Sequence, residues 1–462
     1  MHTAQFDREL IERYGGRGPR YTSYPTAVQF KSGFGDTDYR DHVRRTDARA
    51  GQAPLSIYIH IPFCHSLCYY CGCSKIVTRN RARAKQYLDS VLREVSLQAE
   101  LFSPGRTVSQ LHLGGGTPTY LDRAQMHRLM DALRTHFTLQ SDDHREFSIE
   151  IDPRTVSTEG IAALADAGFN RISMGVQDFA GDVQEAVNRV QAAEETWDLI
   201  RAARASGFGS VSLDLIYGLP LQTADSFDRT LGLVLDMRPD RLAVYSYAHL
   251  PQMFRAQRLI HEAQLPEPTV KLEILRRTVE RLTAAGYVYI GMDHFALAED
   301  ELVKTQGRGE LQRNFQGYST HGNCDLIGLG VTAIGRIGDC YSQNAKDIEA
   351  YEKALEQGRL PIERGLIMTP DDRVRGAVIQ EIMCQGRLDF ASVSGRFGID
   401  FRDYFADEWP QLMALQADGL LKLTDTGLMV SNRGRLLLRA IAMVFDRYLA
   451  ADTVKRTFSK II

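Results

Sequence analysis

This sequence has little material for disulfide chemistry, export or membrane insertion. It carries seven cysteines in 462 residues. The number is odd and no apolar signal segment opens the chain, so the expected setting is a reducing cytoplasm in which thiols stay free to bind metal. No apolar run approaches the ~18 residues that a membrane helix needs. Lys and Arg number 55 against 58 Asp and Glu, a net charge of −3, so there is no basic excess to suggest a nucleic-acid partner. There is no low-complexity tract and no short internal repeat. A 44% hydrophobic and 24% charged composition is ordinary for a globular chain, with enough apolar material for a large core and at least one smaller domain.

Four of the seven cysteines fall within ten residues. Cys64, Cys68 and Cys71 form a C-x3-C-x2-C triad at the end of a predicted strand. Three thiolates on a short loop can hold three irons of a cubane iron–sulfur cluster and leave the fourth iron open for a substrate or cofactor. The competing reading is structural zinc, which takes four ligands, usually as two separated pairs. No second C-x2-C or H-x3-H follows, and Cys324, Cys340 and Cys384 are isolated. Cys73 could be a fourth ligand, a redox partner or a buried small residue. A fourth thiolate would close the reactive iron, so a near-cluster role without ligation is preferred. The triad resembles the signature of radical S-adenosylmethionine enzymes.

From residue 55 the pattern alternates between periods 2 and 3.6. Strands are expected at 55–61, 110–113, 147–151, 171–176, 210–216 and 241–246, with a further one at 287–290. Helices are expected at 83–102, 122–138, 158–168, 192–206, 224–237 and 269–285. Six β/α units in a row predict an α/β fold with a parallel sheet, closed into a barrel or a partial barrel, with its active site at the C-terminal strand ends; the triad's resemblance to radical S-adenosylmethionine enzymes implies their partial (β/α)6 barrel. Residues 1–50 read as a polar, irregular N-terminal arm, extended and packed around 19–26. Residues 51–364 read as the barrel with a substrate-pocket extension. Residues 365–462 read as a small, mostly α-helical, winged-helix-like C-terminal domain: a helix at 373–386, then 412–423, 428–430 and 433–449 as a helix, a short hairpin and a helix. Without a basic stripe, that domain reads as a structural cap rather than a nucleic-acid module.

The polar motifs gather at the expected strand ends. In the 114–119 run, Gly115, Gly116 and Thr117 would let backbone groups approach a ligand closely, the alternative being a tight turn. Glu150 could accept hydrogen bonds from ribose hydroxyls or an ammonium group, while Asp152 serves equally well as a helix cap. Gln177, Arg189 and Asp214 end later units, and Arg189 could grip a cofactor carboxylate with both arms. The 245–249 aromatics could wall an adenine or a flat macrocycle, or simply pack the core. The segments 291–295 and 313–318 are candidates for a lid or substrate pocket.

The whole chain resembles the family of oxygen-independent coproporphyrinogen III dehydrogenases. The resemblance rests on the segments 19–25, 60–73, 114–119, 293–296 and 314–318. Haem chaperones of the same superfamily usually carry an aromatic where Cys73 stands and lack the long arm. The resemblance implies a [4Fe-4S] cluster on Cys64, Cys68 and Cys71 and two S-adenosylmethionine molecules. The first would chelate the open iron and contact Tyr58, Gly115, Glu150 and Ile334. The second would contact Tyr70, Gly116, Thr117, Gln177, Arg189, Asp214 and Ala248. It further implies oxidative decarboxylation of two propionates of coproporphyrinogen III to vinyl groups, giving protoporphyrinogen IX in haem biosynthesis. The means would be a 5′-deoxyadenosyl radical from reductive cleavage of S-adenosylmethionine. An external electron donor and acceptor, a monomeric state and the cytoplasm are expected with it, and neither nucleic acid nor membrane. Arg20, Lys75, Arg79 and Arg313 are candidates for the substrate carboxylates. A haem carrier on the same scaffold, or a zinc-stabilised protein with a nucleic-acid-binding tail, remain the alternatives.

Overall fold

A computed structural model describes residues 4–48, 53–450 and 458–462. The period-2 segments form strands β1 (Leu55–Ile61), β2 (Thr107–Gly115), β3 (Glu146–Ile151), β4 (Arg171–Gln177), β5 (Ser210–Tyr217) and β6 (Arg241–Ser246). The six are parallel and lie side by side in chain order. Helices Arg81–Ala99, Arg123–His136, Thr158–Ala167, Ala193–Ala205 and Ala224–Met237 lie in the crossovers. Helix Arg81–Ala99 shows why they pack there. Asn80 caps its start, accepting from the Ala82 amide at 3.0 Å. Ala84, Tyr87, Leu88, Val91 and Val95 recur on one face and are fully buried. Each large apolar side chain so buried contributes about 1.5–3 kcal/mol.

The sheet runs beyond these six strands on both sides. After β6 come β7 (Tyr287–Gly291) and β8 (His294–Leu297), with β8 antiparallel to β6 and β7 outside it. On the other side β9 (Asp325–Leu329) pairs parallel with β1. It continues antiparallel into β10 (Ile334–Ile337), β11 (Cys340–Asn344) and β12 (Ile362–Ile367). Strand β12 is bordered by Lys31–Ser32 of the arm, and among the described residues the two ends of the sheet do not pair with each other, so the barrel is open.

Alternation along the strands sorts side chains by polarity. Ile57, Ile59 and Ile61 of β1 are fully buried against the helices. Ser56, Tyr58 and His60 turn the other way, into the barrel, where Ser56 donates to Gln110 of β2 at 2.8 Å. Gln110 in turn donates to Glu146 of β3 at 3.1 Å. The barrel therefore has a polar interior from its base upward.

Three expectations need correction. The arm is not wholly irregular: it contains helices Arg8–Tyr14 and Asp36–Asp47. The second is charge-rich, and Tyr39, His42, Val43 and Asp47 are its only buried residues, so its apolar stripe is too narrow to announce itself. The stretch 433–449 is not one helix. It breaks into Arg435–Leu437, Leu438–Ala442, Met443–Phe445 and Arg447–Ala450, tight turns flanking a short α-helix, and at Asp446 the backbone is extended, φ −90° and ψ 99°. In 412–423, helix Trp409–Ala417 gives way to strand Leu421–Leu423, which pairs with Gly427–Val430. Arg387–Asp389 completes that small antiparallel sheet beside helix Pro370–Gln385.

Candidate active site

The cysteine loop leaves the end of β1 and is pinned on both sides. The Tyr69 amide donates to the Val187 carbonyl at 3.0 Å, Asn188 to the Leu67 carbonyl at 2.8 Å, and Gln257 to the Tyr70 carbonyl at 2.9 Å. Gly116 fits because it has no side chain: a Cβ there would meet the Pro62 carbonyl oxygen at 2.6 Å. The amides of Gly116 and Thr117 donate to Ile61 and Phe63 carbonyls at 2.8 and 2.9 Å, and the Gly115 amide reaches Glu150 at 3.3 Å. The glycine run thus spends its amides on the protein, and its carbonyl oxygens are what it can still offer a ligand.

Each sulfur of the triad has its own donor. The Thr117 hydroxyl lies 3.6 Å from Cys64 Sγ. Arg154 and Arg189 each stand 3.5 Å from Cys68 Sγ, and the Tyr70 hydroxyl also hydrogen-bonds that sulfur. A hydrogen bond with Cys73 is the main cause that holds the Cys71 thiol down, and the same bond pushes Cys73 up. Burial pushes the Cys64 thiol up to about 11. Among the described residues no three His, Cys, Asp or Glu converge on one ion position. A cubane places each thiolate on a different iron, so its ligands stand further apart than those of one ion. Three soft thiolates with charge-compensating donors match that group.

Above the triad the interior carries two carboxylates with separated affinities for protons. Burial pushes Asp214 up to about 7, with the Glu150 charge adding to it. Burial also acts on Glu150, but the hydrogen bond and charge of His112 and the Gly115 amide outweigh it and hold Glu150 below the usual range. His112 stacks on Tyr58, with ring centroids 5.8 Å apart, and reaches Glu150 at 3.2 Å. Arg189 bonds Asp152 at 3.2 Å and the Gly175 carbonyl at 2.5 Å. Its Nε and the Gln177 Oε1 are buried without a hydrogen-bond partner in the described structure. Such groups are normally satisfied, and a polar ligand would satisfy them. Gln177 also holds a left-handed backbone, φ 70°, that is uncommon for its type.

Ile334 opens β10 at the edge where β9 ends and packs with Phe315 against the Phe30–Tyr341 cluster. Ala248 lies past β6, on the wall of a cavity of about 690 Å³. The four candidate carboxylate binders do not form one site. Arg20 pairs with Asp293 and lies over the Tyr245 ring at 5.8 Å. Arg313 stacks on Tyr318 at 4.8 Å and reaches the Arg20 carbonyl at 3.3 Å. Lys75 instead donates to the Cys71 carbonyl at 2.9 Å, and Arg79 is exposed. Between Tyr245 and Tyr318 sits His294, which burial above all pushes down to about 3, so it is neutral.

Two neighbours of the candidate site residues escaped the sequence reading. His112 was legible as the inward residue of an alternating Leu-His-Leu. Arg154 follows the Asp152-Pro153 turn and could have been tied to it.

The Radical SAM superfamily model matches residues 58–234, and the HemN C-terminal domain model matches residues 368–437. The oxygen-independent coproporphyrinogen III oxidase of Pseudomonas aeruginosa is 53% identical over 462 residues, covering 100% of both chains. The Escherichia coli protein of that name is 49% identical over 457 residues, 99% of this chain and 98% of the relative. The solved coproporphyrinogen III oxidase (HemN) from Escherichia coli, described as a radical SAM enzyme, superposes with a TM-score of 0.91 at 48% identity. It covers 96% of this chain and 100% of that one.

Proposed function

Because the chain belongs to the family of oxygen-independent coproporphyrinogen III oxidases, radical S-adenosylmethionine enzymes, we propose that it decarboxylates two propionates of coproporphyrinogen III to vinyl groups, yielding protoporphyrinogen IX. The observation that carries this reading is local. Beside the C-x3-C-x2-C thiols, two buried polar atoms, Arg189 Nε and Gln177 Oε1, have no hydrogen-bond partner among the described residues. We assign the [4Fe-4S] cluster to Cys64, Cys68 and Cys71, with Cys73 as a donor to Cys71 rather than a ligand. When bound, the reduced cluster and S-adenosylmethionine supply the radical that takes hydrogen from an unactivated carbon, a reactivity no side chain offers near neutral pH.

The chain's own residues bind, orient and exclude water. For a first S-adenosylmethionine, Glu150 is the ionised acceptor. Tyr58 is held by His112 and by His60 at 3.0 Å, Gly115 contributes its carbonyl, and Ile334 an apolar contact. For a second, Arg189 offers its free donor to a carboxylate, while Asp214, Gln177, Tyr70, Gly116, Thr117 and Ala248 line the remainder. The Arg20–Asp293 pair ties the arm to the loop between β7 and β8. An external electron donor and acceptor complete the cycle. The chain would work as a cytoplasmic monomer; no helix among the described residues is long and apolar enough to cross a membrane.

The test is anaerobic. Protein reconstituted with iron and sulfide, then reduced, should form both 5′-deoxyadenosine and protoporphyrinogen IX from S-adenosylmethionine and coproporphyrinogen III. Deoxyadenosine without the porphyrin product would refute the substrate. Neither product from an intact cluster would refute the reading as a whole.

A further inference from the structure

The 690 Å³ cavity beside Ala248 is bounded by the ends of β5 and β6, helix Pro268–Ala284, the arm and the tail residues 459–462. Its size suits an organic ligand rather than a lone ion, falling within the ~300–1,000 Å³ of ligand pockets. Apolar side chains such as Leu250, Leu265, Leu272 and Ile462 form much of the wall.

Its charges are one-sided. Arg17, Arg20, Lys271, Arg439 and Lys460 line it against Glu12 and Asp293, and Asp293 is already paired with Arg20. Arg439 is occupied as a latch. It donates to carbonyls of Gly18 and Pro19 in the arm and of Lys460 and Ile461 in the tail.

Lys271 is different. Its ammonium donates to the Tyr247 carbonyl at 2.9 Å and lies 5.9 Å from the Tyr217 ring centroid. No carboxylate among the described residues pairs with it. Burial, and secondarily the charge of Lys460, push it down to about 8. A half-buried cation without a counter-ion is left incompletely solvated, and a ligand anion would relieve it.

We propose that this cavity is a carboxylate-anchoring subsite for the tetrapyrrole, with Lys271 binding a propionate at the edge of the macrocycle away from the reacting one and Lys460 of the tail assisting. The inference rests on the substrate named above. The cavity adjoins the cofactor residues through Ala248. It also lies beside β6 through Arg20, whose guanidinium stands over the Tyr245 ring.

The experiment uses the full chain, reconstituted and anaerobic. Affinity for coproporphyrin III, a fluorescent oxidised stand-in for the substrate, is measured by titration beside KM for coproporphyrinogen III. Lys271→Gln should weaken both about ten- to hundredfold, the worth of a hydrogen bond to a charged group. S-adenosylmethionine affinity should not change. Lys271→Arg should recover most of the loss. The unsubstituted protein should prefer the free tetracarboxylate over its methyl ester, and Lys271→Gln should lose that preference. A folded Lys271→Gln that binds coproporphyrin III as tightly as the parent would overturn the subsite. Should Lys271→Gln not fold, Lys460→Gln on the exposed tail and the unsubstituted protein's preference for the free tetracarboxylate carry the test. Lys460→Gln should weaken binding several-fold, and unaltered affinity in it together with no preference for the free acid over the methyl ester would overturn the subsite. A parent protein that converts coproporphyrinogen normally would then leave the functional reading standing. A parent that neither binds nor converts a tetrapyrrole would sink both.

Discussion

The Arg189 guanidinium stands 3.5 Å from the Cys68 sulfur. It also bonds Asp152 and the Gly175 carbonyl, so one side chain connects the loop after β1 with the ends of β3 and β4. A lysine could keep the charge but not the planar set of donors. Arg189→Lys should reduce turnover by about ten- to a hundredfold and raise KM for S-adenosylmethionine, while iron content stays at the parental value. Steady-state kinetics with iron analysis decide it. An unchanged KM for S-adenosylmethionine would remove Arg189 from the cofactor site.

The cysteines separate into ligands and a donor. Cys64→Ser, Cys68→Ser or Cys71→Ser should each abolish turnover and lower bound iron and sulfide. Cys73→Ser should keep iron and sulfide at parental levels, since its thiol acts on Cys71 by a hydrogen bond that a hydroxyl can replace. Loss of iron in Cys73→Ser equal to that in Cys64→Ser would make it a ligand. Stripping the cluster with a chelator should end turnover in the parent protein, and reconstitution should restore it.

The barrel was legible because its strands alternate. Ser56, Tyr58 and His60 alternate with Leu55, Ile57, Ile59 and Ile61, and the same rhythm marks Ser148 and Glu150, so both the strands and the inward polar row follow from period 2. The outer strands lack that rhythm. All five residues of Cys340–Asn344 are buried, including Ser342, Gln343 and Asn344, so neither face reads as apolar. Asn344 is buried because Glu94, 250 positions away, needs its amide. Lys271 was illegible for a related reason. A lysine in the first turn of a helix reads as solvated, and only the approach of the arm and tail encloses it.

Gly116 gives a test of close packing. A Cβ there would meet the Pro62 carbonyl carbon and oxygen at 2.7 and 2.6 Å, and both belong to backbone that cannot turn aside. Gly116→Ala should cost about 2 kcal/mol and disturb the cysteine loop that Gly116 braces. Gly307 is the control. It lies within helix Glu301–Arg308 with nothing within 4 Å of an added Cβ. Gly307→Ala should stabilise the chain by about 0.5–1 kcal/mol. Urea midpoints of the two variants measure the contrast, and a Gly116→Ala midpoint equal to the parent's would show that the loop yields.

Glu94 should give stability a pH dependence of unusual sign for a carboxylate. It is fully buried and accepts from Tyr351 at 2.5 Å, Asn344 at 2.6 Å and the Gly330 amide at 2.8 Å. Burial nevertheless pushes it up from 4.5 to about 7, because these bonds offset only part of the desolvation. Between those values the folded chain holds a proton that the unfolded chain has released. Its contribution is therefore complete below pH 4.5, declines as pH rises, and is lost above about 7. A shift of that size corresponds to roughly 3 kcal/mol. Asp214, also pushed up to about 7 by burial, acts in the same direction over a similar window. Glu94→Gln should be less stable than the parent at pH 5, since its amide cannot serve all three donors, yet lose less on going to pH 7.5. Urea midpoints at four pH values supply both slopes. Parallel slopes for parent and variant would mean that Glu94 is ionised throughout, with its three donors outweighing its burial.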